Sequence, residues 1–168
     1  MSAVTSASAS NFNAMLKFVG ELNYTWTNTE SLLVHVIAGL AGVDKETATV
    51  IFLTLSNSRS RIALVERLAK LERTSADRRK AILEATGLLT RCQKLRNHYN
   101  HCLYAFDEHH LPTKTINLRI VETKDSLRLD GSRDIDHRTF AEFETSLADM
   151  RKANERLWSI IKEYGFPL

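Results

Sequence analysis

The 168-residue chain has only two cysteines, two prolines and six glycines, and no apolar run as long as a membrane span. Each scarcity excludes something. On one continuous helix Cys92 and Cys102 would stand about 15 Å apart, too far for a disulfide, so a reducing, cytoplasmic setting is expected. No zinc-type cysteine pairs, Gly-rich phosphate loop or Ser-His-Asp order occur, and nucleotide-dependent chemistry has no support. The most apolar stretch, "LLVHVIAGLAGV", is far below the roughly 18 residues of a span, and His35 interrupts it. No membrane association is expected. "MSAVTSASAS" lacks the basic and apolar regions of a secretory signal. Residues 1–10 read as a disordered tail, and 11–168 as a single domain without repeat or linker.

What is present is helical spacing. Phe12, Met15, Val19, Leu22, Trp26, Leu33, Val36 and Leu40 recur three or four apart, which predicts one long first helix bent near Gly20 or "TWTNT". Gly39 and Gly42 mark its end, and Asp44 can cap a second helix. "NSRSRIALVERLAKLER" predicts a third. A fourth begins at Ser75, with Ala85, Leu88, Cys92, Leu95, Tyr99, Cys102 and Phe106 as one unbroken stripe. Pro112 stops it. "TINLRIVETKDSLRLDG" alternates branched and polar residues around "TKD", a hairpin insertion over about 115–130. A last helix is expected from about His137 to Tyr164. The expected fold is therefore all-α, a bundle of about five helices with a small β-hairpin insertion.

The net charge of +3 is unevenly spread. Arg59 to Arg96 holds eleven Lys/Arg against four Asp/Glu, a net of +7, and the rest of the chain holds twelve against sixteen. Such a run is either a solvated helix face or a footprint for a polyanion such as RNA.

The basic run ends on "LRNHYNHC", which carries Asn and His where an exposed helix would use Glu and Lys. At about 100° per residue, Leu95, Tyr99 and Cys102 face the core. Arg96, Asn97, Asn100, His101 and Tyr104 then share a polar face turned away from it. That face is either solvated or meets its copy in a two-fold dimer. Arginine offers a permanent cation and planar fork to phosphate, histidine a proton acceptor near neutrality, and Asn97 can orient His101 or bind a phosphate oxygen. Together they suit metal-free cleavage of RNA, with Asn100, Tyr104, Lys94 and Arg91 as binding residues around them.

"LRNHYNH" resembles the signature of the HEPN superfamily, an arginine followed by a polar residue and then a histidine five positions after the arginine. Arg96, Asn97 and His101 match it. The resemblance implies a small α-helical bundle that dimerises through this region. It also implies a metal-independent endoribonuclease, toxin or defence-related, with an antitoxin or other protein partner. Some members carry a tyrosine two residues after the histidine, where a partner enzyme modifies it; here that position is Leu103, and Tyr104 follows. The alternative is a non-catalytic helical module that binds RNA or protein. No cofactor is expected. His98, Cys102, His109 and His110 invite a metal, but Cys102 belongs to the apolar stripe and "DEHH" suits a helix end, so no metal site is assigned.

Overall fold

The computed structural model describes residues 2–108, 111–117, 120–129 and 131–168, with side chains from residue 12 onward except at 128 and 129. The elements are α1 (Ser2–Ser31), α2 (Leu33–Ala41), α3 (Lys45–Thr54), α4 (Ser58–Ala69) and α5 (Ala76–His101). There follow β1 (Cys102–Phe106), β2 (Pro112–Asn117), β3 (Ile120–Glu122), β4 (Leu127–Leu129), β5 (Ser132–Asp134) and α6 (His137–Glu163). The fold is a mostly helical bundle with a small β part. No helix among the described residues is long and apolar enough to cross a membrane.

The expected long first helix is interrupted at Leu32, giving α1 and α2. Side-chain hydroxyls account for the break. Thr29 Oγ donates to the Thr25 carbonyl at 2.8 Å and Ser31 Oγ to the Asn28 carbonyl at 2.9 Å. Such back-bonding loosens the helical ladder and bends it. The helix starts at Ser2, within the stretch that composition marks as a tail; Ala, a strong helix former, alternates there with Ser.

Several ends follow the local chemistry of the sequence. Gly42 closes α2 at φ 70°, the left-handed conformation glycine adopts without penalty. Asp44 caps α3 by accepting from Thr47 N at 2.8 Å, and Asn57 caps α4 by accepting from Ser60 N at 2.9 Å. At α6, Asp136 Oδ1 accepts from Arg138 N and Thr139 N, while Thr139 Oγ accepts from Asp136 N. The exchange is reciprocal, as in a capping box.

The chain falls into two compact units, Met1–Asn23 with Lys94–Ser146, and Tyr24–Gln93 with Leu147–Leu168. No composition shift marks the boundaries, because they fall inside α1, α5 and α6.

The first unit carries all five strands. β1, β2 and β5 form an antiparallel sheet in the order β1-β2-β5, with Cys102 opposite Asn117 and Lys114 opposite Asp134. β3 and β4 pair separately, Ile120 opposite Leu129. That hairpin lies inside the expected insertion, and Thr123 N closes its turn on the Ser126 carbonyl at 2.8 Å. The core holds Met15, Leu22, Tyr99 and Phe143. Phe143 stacks on Phe18 at 5.6 Å and meets Tyr99 at 4.4 Å between ring centroids.

The second unit buries Trp26, Leu33, Ile37, Ile82, Leu89, Met150, Leu157 and Ile161. Several polar groups are paired there: Trp26 Nε1 donates to Glu30 at 3.1 Å, and Arg61 lies 3.4 Å from Glu30 as an ion pair. His35 meets the Pro167 carbonyl at 2.7 Å, and Asn154 donates to Thr29 at 3.2 Å.

Candidate functional site

The candidate site lies in the first unit, where the last turns of α5 carry Lys94 to His101. The predicted stripe holds as far as Tyr99, with Leu88, Cys92 and Tyr99 buried and Leu95 half-buried. Beyond that the helical expectation is overturned. α5 ends at His101, and Cys102–Phe106 is the strand β1. Cys102 and Phe106 continued the three-four spacing by coincidence. "CLYAF" is rich in residues that suit a pleated surface, and pairing with β2 satisfies its backbone.

Tyr104 therefore leaves the polar face on which helical spacing put it. It stands on β1, half-buried, and its hydroxyl donates to the Tyr99 carbonyl at 3.3 Å. Burial pushes its phenol well above the ordinary range. Burial likewise raises the Cys102 thiol, which remains the weakly reactive neutral form.

Arg96, Asn97 and Asn100 are brought together, Arg96 and Asn97 half-buried and Asn100 exposed. Arg96 is half-buried; its Nε donates to Asn23 Oδ1 at 3.1 Å and its Nη1 to Asn97 Oδ1 at 3.2 Å. Asn100 exchanges two hydrogen bonds with Asn23, at 2.7 and 2.8 Å. α1 thus covers part of the face that spacing turned outward. His101, the last residue of α5, is exposed, and its ring makes no hydrogen bond among the described residues. Lys94 is exposed on the same helix. Arg91 belongs to the second unit, where it pairs with Asp149 at 3.3 Å.

Asn23 is the residue that sequence reading missed. Its signal was an asparagine in mid-helix, flanking the buried positions Leu22 and Trp26, where it costs helix propensity unless its amide finds a partner.

His98 points to the sheet instead. Its Nε2 lies 2.9 Å from the hydroxyl of buried Thr115. Burial, then the charge of Arg133, lowers its pKa, against a hydrogen bond to the Asn117 side chain and the charge of Glu142. Glu142 itself pairs with Arg133. Among the described residues no group of three or more His, Cys, Asp or Glu is placed to hold a metal ion. His109 and His110 lie outside the described residues.

No protein-family model, curated protein or solved structure matches the chain.

Proposed function

We propose that the protein is a metal-independent endoribonuclease of HEPN type, acting as a homodimer with its site in the shared groove. One observation carries the reading. Arg96 is held by two side-chain amides, while His101, five residues on, stands exposed with no hydrogen bond to its ring among the described residues. A held cation and an exposed imidazole on one helix end are the two kinds of group that cleavage of RNA without a metal uses. His101 takes the proton of the 2′-hydroxyl, whose oxygen attacks the adjacent phosphorus. Arg96 offsets the charge that builds on the phosphorane. The bond to the 5′-oxygen breaks, and that oxygen takes a proton from the second copy's His101. The products are a 2′,3′-cyclic phosphate and a 5′-hydroxyl.

Asn97 orients Arg96 in this scheme, and Asn100 and Lys94 serve RNA binding, while Arg91 stays engaged with Asp149. Tyr104, turned into the sheet region, has no part in it. A cytoplasmic toxin or defence role, restrained by an antitoxin or another protein, is what the HEPN resemblance adds.

A second reading, a non-catalytic RNA- or protein-binding module, draws on the same amide network, because part of the polar face is spent inside the protein. One experiment separates them. Purified protein is incubated with labelled RNA, with and without EDTA, beside His101→Ala. The ribonuclease reading expects cleavage that survives chelation, cyclic-phosphate ends, and loss of cutting in His101→Ala with little loss of affinity, since phosphate affinity comes mostly from cations. Cleavage by His101→Ala at the parent rate overturns it. Sedimentation that shows only monomer at micromolar concentration overturns the homodimer.

A further inference from the structure

In the second unit, α6 carries a tryptophan on its outer side. Met150, Ala153, Leu157, Ile160 and Ile161 of this helix are buried, whereas Glu155, Trp158, Ser159 and Lys162 are exposed. Trp158 is 37% exposed, against 1% for Trp26. Together with Asn154, these four residues line an open groove of about 560 Å³. The ring of His35, itself 2.7 Å from the Pro167 carbonyl, stands beside the indole at 6.1 Å between centroids.

The charged groups of the groove are not engaged by the protein. Ser159 Oγ donates to the backbone carbonyl of Glu155 at 3.0 Å, not to its carboxylate. The Glu155 carboxylate and the Lys162 ammonium make no hydrogen bond or ion pair among the described residues. Arg156, the one other charged residue between them, pairs with Glu84 at 2.8 Å. Asn154 Nδ2 donates to Thr29 at 3.2 Å, and its Oδ1 has no partner among the described residues.

Spacing sets what the groove fits. Glu155 and Lys162 are two turns apart on the helix, about 10 Å along its axis and within about 20° of one line. Trp158 lies between them. A flat ring stacked on the indole therefore has a carboxylate at one end and an ammonium at the other. A nucleotide has the matching layout, a base that stacks on an aromatic side chain and a phosphate beyond it. The base edge must donate, because Glu155 and Asn154 Oδ1 are acceptors. Of the four RNA bases only guanine presents two adjacent donors, N1–H and the N2 amino group, which match the two oxygens of a carboxylate. Adenine and cytosine set an acceptor beside their amino group, and uracil flanks its one N–H with two carbonyls.

We propose that the α6 groove is a guanine-nucleotide site. The base stacks on Trp158, its N1–H and N2 amino group donate to Glu155, and the phosphate meets Lys162. The guanine belongs to a free nucleotide or to a single strand of nucleic acid. The site requires no cleavage and stands apart from the ribonuclease reading.

NMR on the full chain tests it. The two tryptophans give two indole Nε1–H signals, and that of Trp158 is assigned by its loss in Trp158→Phe. Titration with 5′-GMP should shift the Trp158 signal to saturation and leave that of buried Trp26 in place. AMP, CMP and UMP should bind about tenfold more weakly, the usual discrimination of a two-bond base contact. Glu155→Gln should weaken GMP by about tenfold, because one acceptor becomes a donor. Lys162→Gln should weaken GMP by about threefold and leave guanosine unchanged. These side chains are exposed, so the fold should tolerate both changes.

A short oligodeoxynucleotide with one guanine among thymines, beside thymines alone, separates the sources. Without a 2′-hydroxyl it cannot be cut by the scheme above. A guanine strand bound more tightly than GMP assigns the site to nucleic acid, and one bound no better assigns it to the free nucleotide. No shift with GMP or with the guanine strand at millimolar concentration overturns the proposal. So does an equal response to all four nucleotides, or GMP bound by Glu155→Gln as tightly as by the parent.

Discussion

Arg61 and Arg91 meet carboxylates, whereas Arg96 meets amides. This difference was only half visible in the sequence. Arg96, Asn97 and His101 could be singled out because all three point away from the apolar stripe and residues four apart, such as Asn97 and His101, neighbour each other on a helix. Asn23 could not be connected to them, because a partner 73 positions away in the chain leaves no local trace. The neighbours on α5 give two predictions. Tyr99 is 3% exposed and packs on Phe143, so Tyr99→Ala should cost about 3–5 kcal/mol in urea unfolding, the usual loss for emptying an aromatic site. His98 has a lowered pKa in the fold, caused first by burial and then by Arg133. The folded state therefore prefers neutral His98, and its contribution is intact above the unfolded value near 6.5. Stability should fall as pH drops from there through the lower folded value. The urea midpoint measured from pH 8 to pH 5 should show this decline, and His98→Gln should flatten it.

At the scale of elements, the sequence declared helices well and their neighbours poorly. Caps at Asp44 and Asn57 and the spacing of α4 and α6 act within a few residues, so they could be read directly. β1 could not, because its residues continued a helical period, and only the partner strand β2 decides between the two forms. The hairpin β3–β4 was legible from its own turn; the sheet β1-β2-β5 needed strands separated by other structure. Gly39 shows the same limit. Its place near "GLAG" suggests a helix end, yet it lies inside α2 with the ring of Phe166 packed where a Cβ would stand. In an exposed helix Gly→Ala gains about 1 kcal/mol. Here the sign should reverse. Gly39→Ala should destabilise by about 1–3 kcal/mol through overpacking, and combining it with Phe166→Ala should remove most of that penalty specific to position 39. Thermal unfolding of the two single variants and the double variant measures the coupling directly.

For the whole molecule, the basic segment is the feature that most needs correcting for structure. Eleven cations between Arg59 and Arg96 suggest a strong polyanion footprint when they are counted on the sequence. The fold engages several of them. Arg61 pairs with Glu30 and lies over Phe52, Arg73 donates to the Leu40 carbonyl, and Arg78 lies over Tyr164. Arg91 pairs with Asp149, and Arg96 is held by amides. Arg59, Arg67, Lys70, Lys80 and Lys94 are exposed and make no side-chain hydrogen bond or ion pair among the described residues. A cation held by a carboxylate, a carbonyl or a ring must give up its partner to follow a phosphate, so the footprint is set by the second group together with Arg96. Binding to single-stranded nucleic acid loses affinity with salt at a log–log slope of about −0.7 per phosphate neutralised, which gives roughly −8 for eleven cations and about −4 for six. Fluorescence anisotropy with a labelled RNA strand, titrated at several KCl concentrations, should give a slope near the smaller value. Replacing Lys80 and Lys94 together by Gln should lower its magnitude by about 1.4, while Arg73→Gln should change it little. A slope near the larger value would mean that the held arginines leave their partners on binding, and that the internal contacts are weaker than their geometry suggests.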